Sequence, residues 1–202
     1  MVTKVQKLAS KLVYLCMAKK RDLRQLFRIK RSKLSSQELS EASIQVFNQI
    51  KSSRLVEGNL IMLYFSSEKH QEIPTDLLFS LSNNYKICVP KIINKNGAME
   101  AIKWNKDMPV STNGWGIKEP LSNDYILPKK IDVIVVPLLC FDKDGHRVGF
   151  GKGYYDRFLN RCSKNVKTIG VSYFEPVEKI TDIEFTDVAL DMVITPKKVY
   201  QF

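Results

Sequence analysis

The sequence predicts an α/β protein with a three-layer, Rossmann-like architecture, in which a mostly parallel sheet carries helices on both faces. Short runs rich in Val and Ile recur along the chain, which is typical of strands that are buried on both faces. Segments with helical spacing of apolar residues separate several of these runs. A chain of 202 residues is long enough to build one hydrophobic core. Strands that alternate with helices in this way predict a parallel sheet covered on both sides.

Two helices are predicted before the first strand. Residues 18–34 are rich in helix formers and carry apolar residues near helical spacing. Ser35 followed three residues later by Glu38 is the pattern of a capping box, which predicts the start of a second helix that ends near Gly58. One face of that helix would carry the apolar residues Leu39, Ala42, Val46, Phe47 and Ile50.

The strand predictions rest on short apolar runs bounded by turn residues. The run at 131–137 is the strongest, because five of its residues are Val or Ile and a proline closes it. Residues 74–84 begin with proline and end in Asn-Asn, which predicts a helix. The prolines and glycines of residues 105–130 predict an irregular connection. Further strands are predicted at 59–65, 85–93, 98–104, 167–174 and 188–195.

The formal charge of +11 is concentrated at the N-terminus. Residues 1–33 hold eleven Lys or Arg and one acid, a net charge of +10, and the remaining residues hold 21 basic and 20 acidic groups, a net charge of +1. Three interpretations of the basic segment stay open: an arm that binds RNA or DNA, a helix that binds phosphates, or a solvated face. The first of these is the alternative function, a nucleic-acid-binding module.

Composition narrows the class of protein. No apolar run approaches the ~20 residues that a membrane span needs, so we expect no membrane association. The four cysteines form no C-x-x-C pair, which favours free thiols and a cytoplasmic location. Residues 1–16 are basic, but lysines interrupt their apolar run, so they do not resemble a secretory signal. We interpret them as an N-terminal extension of unknown role, and residues 17–202 as a single domain.

The loop after the strand at 131–137 is the predicted binding site, because ligands of parallel sheets bind beyond the carboxyl ends of the strands. Its sequence "GFGKGYYDRFL" (149–159) places Gly149, Gly151 and Gly153 around Lys152. The dinucleotide fingerprint G-x-G-x-x-G fails because residue 154 is tyrosine, and the Walker A pattern fails because residue 153 is glycine.

The chemistry of this loop still favours phosphate. Glycines allow backbone N–H groups to approach an anion closely. A helix predicted to start at or near Lys152 adds free N–H donors, and Arg147 adds a full charge. Asp156 follows Lys152 by one helical turn, where its carboxylate could reach a Mg²⁺ ion on the phosphates.

The run "VPLLCFDKDGHRVGFGKGYYD" (136–156) resembles the hallmark of the 5-formyltetrahydrofolate cyclo-ligase family, also called methenyltetrahydrofolate synthetases. Four other segments resemble the family's motifs in the same order, and the resemblance extends from about Met17 to Pro196. These segments are "KRDLR" (20–24), "EIPT" (72–75), "WGIKEP" (115–120) and "LDMVITP" (190–196).

The resemblance implies conversion of 5-formyltetrahydrofolate and ATP to 5,10-methenyltetrahydrofolate, ADP and phosphate, with Mg²⁺. The γ-phosphoryl group would activate the formyl oxygen, and N10 of the folate would attack the activated carbon. The protein's task in such a reaction is mostly alignment and charge neutralisation. The expected partners are these two small molecules, with no nucleic acid, and the expected oligomeric state is a monomer.

The resemblance also implies roles for individual residues. Lys152 and Arg147 are the expected catalytic residues, Asp156 and Asp191 the expected magnesium ligands, and Glu72 the acid that holds the donor nitrogens of the pterin. Residue 150 is phenylalanine and residue 186 is threonine, which depart from the family's usual pattern. The expected ATP-binding residues are Lys20, Arg24, Arg147, Gly149, Gly151, Lys152, Gly153, Tyr154 and Tyr155. The expected folate-binding residues are Phe65, Glu72, Trp115, Phe150, Gly151, Lys152, Gly153 and Tyr154.

Overall fold

A computed structural model provides the structure of the protein and describes residues 17–52, 58–94, 96, 98–114 and 116–202. The predicted N-terminal extension, residues 1–16, and the predicted folate-binding residue Trp115 lie outside the described residues. The helices are α1 (Lys20–Arg31), α2 (Ser36–Ser52) and α3 (Tyr154–Leu159), with 3-10 helices at Glu68–His70, Asp76–Asn83 and Pro128–Lys130. Within this part of the chain, no helix is both long enough and apolar enough to cross a membrane.

Short strands make up most of the remaining regular structure. In chain order they are β1 (Met17–Ala18), β2 (Leu60–Met62), β3 (Lys86–Ile92), β4 (Met99–Lys103), β5 (Val110–Thr112), β6 (Lys118–Pro120), β7 (Tyr125–Ile126), β8 (Val133–Pro137), β9 (Cys140–Phe141), β10 (Arg147–Val148), β11 (Lys167–Val171), β12 (Lys179–Ile180), β13 (Met192–Ile194) and β14 (Val199–Gln201).

Eight of these strands form the central sheet, in the order β14-β13-β11-β8-β2-β3-β4-β7. The five strands from β13 to β3 are parallel, and β14, β4 and β7 are antiparallel additions at the edges. The chain proceeds from β2 to β3 in one direction and later returns to place β8 on the other side of β2. The topological switch point therefore lies between β2 and β8, where ligands of open α/β sheets bind.

The sheet is buried on both faces, as its Val- and Ile-rich strands predict. On one face Val133 and Val135 of β8 pack with Val46 of α2. On the other face Ile134 and Val136 pack with residues of α3. Adjacent residues of one strand thus pack into opposite layers, as a pleated strand requires. This arrangement confirms the predicted three-layer α/β fold.

Helix α1 packs beside the central sheet rather than in either of the two layers. Its Leu23 and Phe27 are buried against Leu139 and Val148, which lie at the open end of the β9–β10 hairpin. The other side of α1 is thereby directed towards the carboxyl ends of the strands. This packing positions the basic residues of α1 next to the predicted binding loop.

The capping box at the start of α2 is confirmed. The Ser35 backbone N–H donates to Glu38 Oε2 at 2.8 Å, and the Glu38 N–H donates to Ser35 Oγ at 3.2 Å. We expect Ser35→Ala to lower the free energy of unfolding by about 1 kcal/mol, because one helix-end N–H loses its acceptor. Urea unfolding monitored by circular dichroism checks this value. An unchanged midpoint would show that solvent replaces the cap without cost.

Two segments differ from their sequence predictions. Residues 74–84 form a 3-10 helix, Asp76–Asn83, rather than an α-helix. Its serines compete for backbone groups, and Ser80 Oγ donates to the Leu77 carbonyl at 2.6 Å. The connection at 105–130 contains the β5–β6 hairpin and β7. Every residue of β5 is exposed, so its sequence lacks the apolar alternation that identifies a strand.

Candidate active site

A cavity of about 700 Å³ opens at the switch point, beyond the carboxyl ends of β2, β3 and β8. We refer to it as the cleft. The predicted site residues that line it are Lys20, Arg24, Phe65, Glu72, Arg147, Gly149, Phe150, Gly151, Lys152, Gly153, Tyr154, Tyr155 and Asp156. The structure therefore brings together residues that are up to 136 positions apart in the sequence, as far as Lys20 and Asp156.

Helix α1 contributes a row of cations to the cleft. Lys20, Arg24 and Arg28 recur every four residues, so they lie on one face of the helix. The Lys20 ammonium pairs with the carboxylate of Asp187. Arg24 Nε donates to the Gly149 carbonyl at 3.0 Å, which joins the helix to the glycine loop. Three of the eight Lys and Arg side chains of residues 17–33 thus line the cleft, which fits the phosphate interpretation better than an outward nucleic-acid arm.

The glycine loop follows β10 and ends at α3. Gly151 has φ +92° and Gly153 has φ +65°, values that favour glycine. A Cβ on Gly151 would lie 3.1 Å from Cζ of Arg24, so the helix and the loop approach each other closely here. Because Gly153 is left-handed, α3 begins at Tyr154 and not at Lys152. The predicted helical relation between Lys152 and Asp156 is therefore wrong, although both residues line the cleft.

We expect Gly151→Ala to raise the KM for ATP by about tenfold, because the new methyl group would strain the backbone and displace Arg24. Steady-state kinetics with varied ATP checks this expectation. Gly114→Ala is the matched control, because its Cβ would meet nothing within 4 Å and the residue lies outside the cleft. Equal kinetic effects of the two substitutions would contradict the assigned role of the Gly151–Arg24 contact.

Arg147 and Asp156 form the central ion pair of the cleft. Arg147 Nη2 donates to Asp156 Oδ1 at 2.7 Å, and Nη1 donates to the Val188 carbonyl. The Val188 N–H donates to the same Asp156 oxygen at 3.3 Å. Burial lowers the pKa of Arg147, and the neighbouring carboxylate of Asp156 opposes that shift. The side chain of Arg147 is only 6% exposed, so these contacts hold it in place.

Asp156 and Asp187 are two carboxylates that line the cleft, each paired with a cation. Each has one oxygen engaged: Asp156 Oδ1 by Arg147 and Val188, and Asp187 Oδ2 by Lys20 and the Glu184 N–H. Within the described part of the chain, the second oxygen of each carboxylate has no hydrogen-bond partner. Carboxylate oxygens are the ligands that Mg²⁺ prefers.

Asp191, the other predicted magnesium ligand, lies elsewhere. It immediately precedes β13, and its Oδ2 accepts hydrogen bonds from the backbone and hydroxyl groups of Thr168, both at 2.7 Å. These residues are at the amino-terminal ends of β11 and β13, the edge of the sheet opposite the cleft. The structure therefore does not bring Asp191 to Asp156, and a role in holding the same ion is wrong.

A second group of candidate metal ligands, Asp142, Asp144 and His146, lies outside the cleft. The buried Asp142 carboxylate is engaged on both oxygens. Oδ1 accepts the N–H groups of Asp144 and His146, and Oδ2 accepts the N–H of Ile180 at 3.0 Å. These bonds define a structural turn before β10.

Glu72 is the acid on the more apolar side of the cleft. Its Oε2 accepts the Ser67 N–H at 2.9 Å. Burial raises the pKa of Glu72 to about 7, and this hydrogen bond and the Arg31 charge only partly offset that shift. Tyr64 and Phe65 follow β2 into the same cavity. A carboxylate in such surroundings is suited to accept N–H groups from a flat heterocyclic ligand.

Phe150, which departs from the family's pattern, bridges two elements across the cleft. Its ring centroid lies 4.9 Å from that of His70 and 5.9 Å from Cζ of Arg28. The phenylalanine thus contributes an aromatic contact where a charged side chain would face Arg28. The other departure, Thr186, also lines the cleft.

Sequence reasoning missed several residues of the cleft. The place of Arg28 in the cleft could have been predicted, because Arg28 continues the four-residue spacing of Lys20 and Arg24. The places of His70 and Asp187 could not, because these residues lie in a short 3-10 helix and in an irregular segment, whose positions depend on the tertiary fold. Glu184 and Arg157 also line the cleft.

Comparisons with known proteins point to one family. The model of the 5-formyltetrahydrofolate cyclo-ligase family matches residues 16–196. A 5-formyltetrahydrofolate cyclo-ligase of Mycoplasma genitalium is 29% identical over 181 residues, which cover 88% of this chain and 98% of the relative. The Escherichia coli K12 enzyme of the same name is 40% identical over 111 residues, which cover 52% of this chain and 60% of the relative.

Solved structures agree as well. The structure of Aquifex aeolicus 5,10-methenyltetrahydrofolate synthetase has a TM-score of 0.78 and 29% identity, and the match covers 90% of this chain and 92% of that chain. A 5,10-methenyltetrahydrofolate synthetase from Mycoplasma pneumoniae has a TM-score of 0.69 and 27% identity, with 88% and 98% of the two chains covered. Because the family model spans most of its length, the chain belongs to the 5-formyltetrahydrofolate cyclo-ligase family.

Proposed function

We infer that the protein catalyses the ATP-dependent cyclisation of 5-formyltetrahydrofolate to 5,10-methenyltetrahydrofolate, with release of ADP and phosphate. Family membership supports this reaction. The structural observation that carries it is the composition of the cleft. A single cavity combines a cationic glycine loop, suited to phosphates, with a half-buried acid among aromatic side chains, suited to a pterin.

The chemistry explains why one cavity must hold both ligands. The formyl oxygen of 5-formyltetrahydrofolate is a poor leaving group, and phosphorylation by the γ-phosphoryl group of ATP makes it a good one. N10 of the folate then attacks the formyl carbon and loses its proton, the C–O bond breaks, and phosphate leaves. Phosphoryl transfer needs little covalent participation from the protein, so positioning and charge neutralisation dominate.

We assign the phosphates to the side of the cleft formed by α1 and the glycine loop. Lys20 and Arg24 supply cations from the helix, and the backbone N–H groups between Gly149 and Gly153 supply donors. Lys152 is exposed at the tip of this loop, where it can reach the transferring phosphoryl group. Arg147 acts mainly by orienting Asp156, to which it is hydrogen-bonded.

Asp156 and Asp187 would hold the magnesium ion that accompanies the nucleotide. The bound ion supplies charge neutralisation on the phosphate oxygens. The ion pairs with Arg147 and Lys20 hold the two carboxylates in fixed positions. Lys20 therefore has two tasks, since it also belongs to the cationic row that faces the phosphates.

We assign the folate to the side formed by the ends of β2, β3 and β4. Glu72 is the proposed acceptor for the pterin's donor nitrogens. Phe65 stacks on Phe79 with ring centroids 5.3 Å apart, which fixes one aromatic wall. Tyr154 donates from its hydroxyl to the Asn94 carbonyl at 3.2 Å, which fixes another. Contact between Trp115 and the pterin stays a sequence-based prediction.

The test is a turnover assay with purified protein, Mg-ATP and 5-formyltetrahydrofolate. We expect the absorbance of the methenyl product to appear together with one equivalent of ADP, and neither signal without ATP. Absence of both products from a folded preparation would refute the proposed function. ADP release without methenyl product would indicate an ATPase of another specificity.

We further propose that residues 17–202 act as one domain, as a monomer and in the cytoplasm. Cys88, Cys140 and Cys162 are free thiols, which fits a reducing compartment. Light scattering of the purified protein tests the oligomeric state.

A further inference from the structure

Arg31, the last residue of α1, is a charged side chain in the protein interior. It is only 2% exposed. Its Nη2 donates to the Leu138 carbonyl at 2.6 Å, and its Nη1 donates to the His70 carbonyl at 3.3 Å. Its Nε has no hydrogen-bond partner among the described residues. Burial of an incompletely bonded cation costs stability, so this arrangement calls for a functional explanation.

The contacts of Arg31 converge on the segment that carries Glu72. His70 lies two residues before Glu72, and Leu138 directly follows β8 at the switch point. The guanidinium carbon also lies 5.3 Å from the centroid of the Tyr173 ring. The hydroxyl of Tyr173 in turn donates to the backbone carbonyl of Glu72 at 3.0 Å.

We propose, on the basis of the proposed function, that Arg31 is the positioning residue for Glu72. Its guanidinium joins the loop after β8 to the segment after β2, and its stacking holds Tyr173 against the Glu72 backbone. The planar, multiply donating guanidinium suits this bridge better than an ammonium does. Arg31 is not among the described residues that line the cleft, so it acts on the folate through Glu72 and not by direct contact.

Electrostatics support the same role. The other titratable groups that interact with Glu72 are Tyr64, Tyr155 and Tyr173, and burial raises the pKa of each, so they stay neutral. Arg31 is the cation that lowers the pKa of Glu72, against the larger effect of burial, which raises that pKa to about 7. Loss of Arg31 would therefore raise the pKa of Glu72 further and leave less carboxylate at neutral pH.

The experiment compares Arg31→Met with Arg31→Lys. We expect Arg31→Met to raise the KM for 5-formyltetrahydrofolate about tenfold or more at pH 7.5, with little change in the KM for ATP. The pH at which folate kcat/KM reaches half its plateau should move upwards. Arg31→Lys retains the charge and should recover part of the pH shift. Folded Arg31→Met with the wild-type folate KM and pH profile would overturn the proposal, as would equal losses for both substrates.

Lys30→Met is the matched control. Lys30 is the preceding cation of α1, lies over the rings of Phe27 and Phe174 at 4.6 and 5.9 Å, and does not line the cleft. Its removal should leave the folate KM and the pH profile unchanged. If Arg31→Met does not fold, Tyr173→Phe tests the same connection, because it retains the ring and removes the bond to Glu72. A threefold or larger selective rise in folate KM is expected there, and no rise would overturn the proposal.

A readout that does not require turnover separates this proposal from the proposed function. Titration of ¹³C-labelled glutamate carboxyl groups, assigned with Glu72→Gln, reports the ionisation of Glu72 directly. We expect the titration midpoint of Glu72 to be lowest in wild type, higher in Arg31→Lys, which weakens the bridge, and highest in Arg31→Met. An unchanged midpoint in Arg31→Met would refute the coupling even in an active enzyme. A raised midpoint in a protein without cyclo-ligase activity would uphold the coupling and refute only the proposed reaction.

Discussion

Replacement of Lys152 by alanine is expected to lower kcat by about 10²–10³-fold without loss of the fold. Lys152 is exposed on the glycine loop, so its removal deletes no core packing. The role assigned to it is stabilisation of charge that develops during phosphoryl transfer. Such an interaction is strongest in the transition state, so kcat should fall more than the KM for ATP rises.

Steady-state kinetics and circular dichroism of the same preparations test this prediction. Lys164→Ala is the matched control, because Lys164 is also exposed but does not line the cleft. Lys152→Arg retains the charge and should recover part of kcat. Full activity of Lys152→Ala would remove Lys152 from the mechanism, whereas a loss confined to the KM for ATP would reduce its role to ground-state binding.

The glycine loop could be predicted from the sequence because its chemistry is contiguous. Gly149, Gly151, Lys152 and Gly153 lie in the loop after the strongly predicted strand at 131–137, so their position beyond a strand end follows from the fold class. The conformation of the loop could not be predicted in the same way. The left-handed Gly153 delays the helix by two residues, and glycine permits many backbone conformations.

The positions of residues in irregular segments could not be predicted from the sequence. Asp187 reaches the cleft because Lys20, from the other end of the chain, pairs with it. Asp191, only four residues later, lies at the opposite edge of the sheet. Both residues precede β13, and the path of the irregular connection before that strand places Asp187 at the cleft and Asp191 at the opposite edge.

The strands of the central sheet were predictable for a related reason. Burial on both faces demands continuous apolar runs, and 131–137 is such a run. Strands β5 and β6 pair only with each other, and most of their residues face solvent. Because the hairpin lacks a buried face, its sequence has no apolar alternation, and the two strands could not be predicted from it.

Replacement of Glu72 by glutamine is expected to raise the KM for 5-formyltetrahydrofolate by about 10–100-fold, with little change in the KM for ATP. Glutamine retains the size of the side chain but offers one acceptor oxygen and no charge. The effect should be confined to the folate side of the cleft, because Glu72 is not bonded to the cations of α1 that line it. A similar rise for both substrates would contradict the assignment.

The pH dependence of kcat/KM for the folate in the wild-type protein is a second test of the role of Glu72. Because the pKa of Glu72 is raised to about 7, protonation should lower kcat/KM for the folate as the pH falls below about 7. Glu72→Gln should lose this acid limb. Both proteins are compared at a saturating ATP concentration at each pH. If Glu72→Gln keeps the decrease in kcat/KM at low pH, that decrease belongs to another group.

The same raised pKa predicts that Glu72 costs stability when it is ionised. The folded protein binds this proton more tightly than the unfolded chain, so the cost is absent below about pH 4.5, grows as the pH rises, and is complete above about pH 7. We expect Glu72→Gln to raise the free energy of unfolding by about 1–3 kcal/mol at pH 8 and to change it little at pH 4.5. Urea unfolding at the two pH values tests this difference. A substitution that weakens folate binding while stabilising the fold would identify Glu72 as a residue kept for its ligand, because a purely structural carboxylate would show the opposite change in stability.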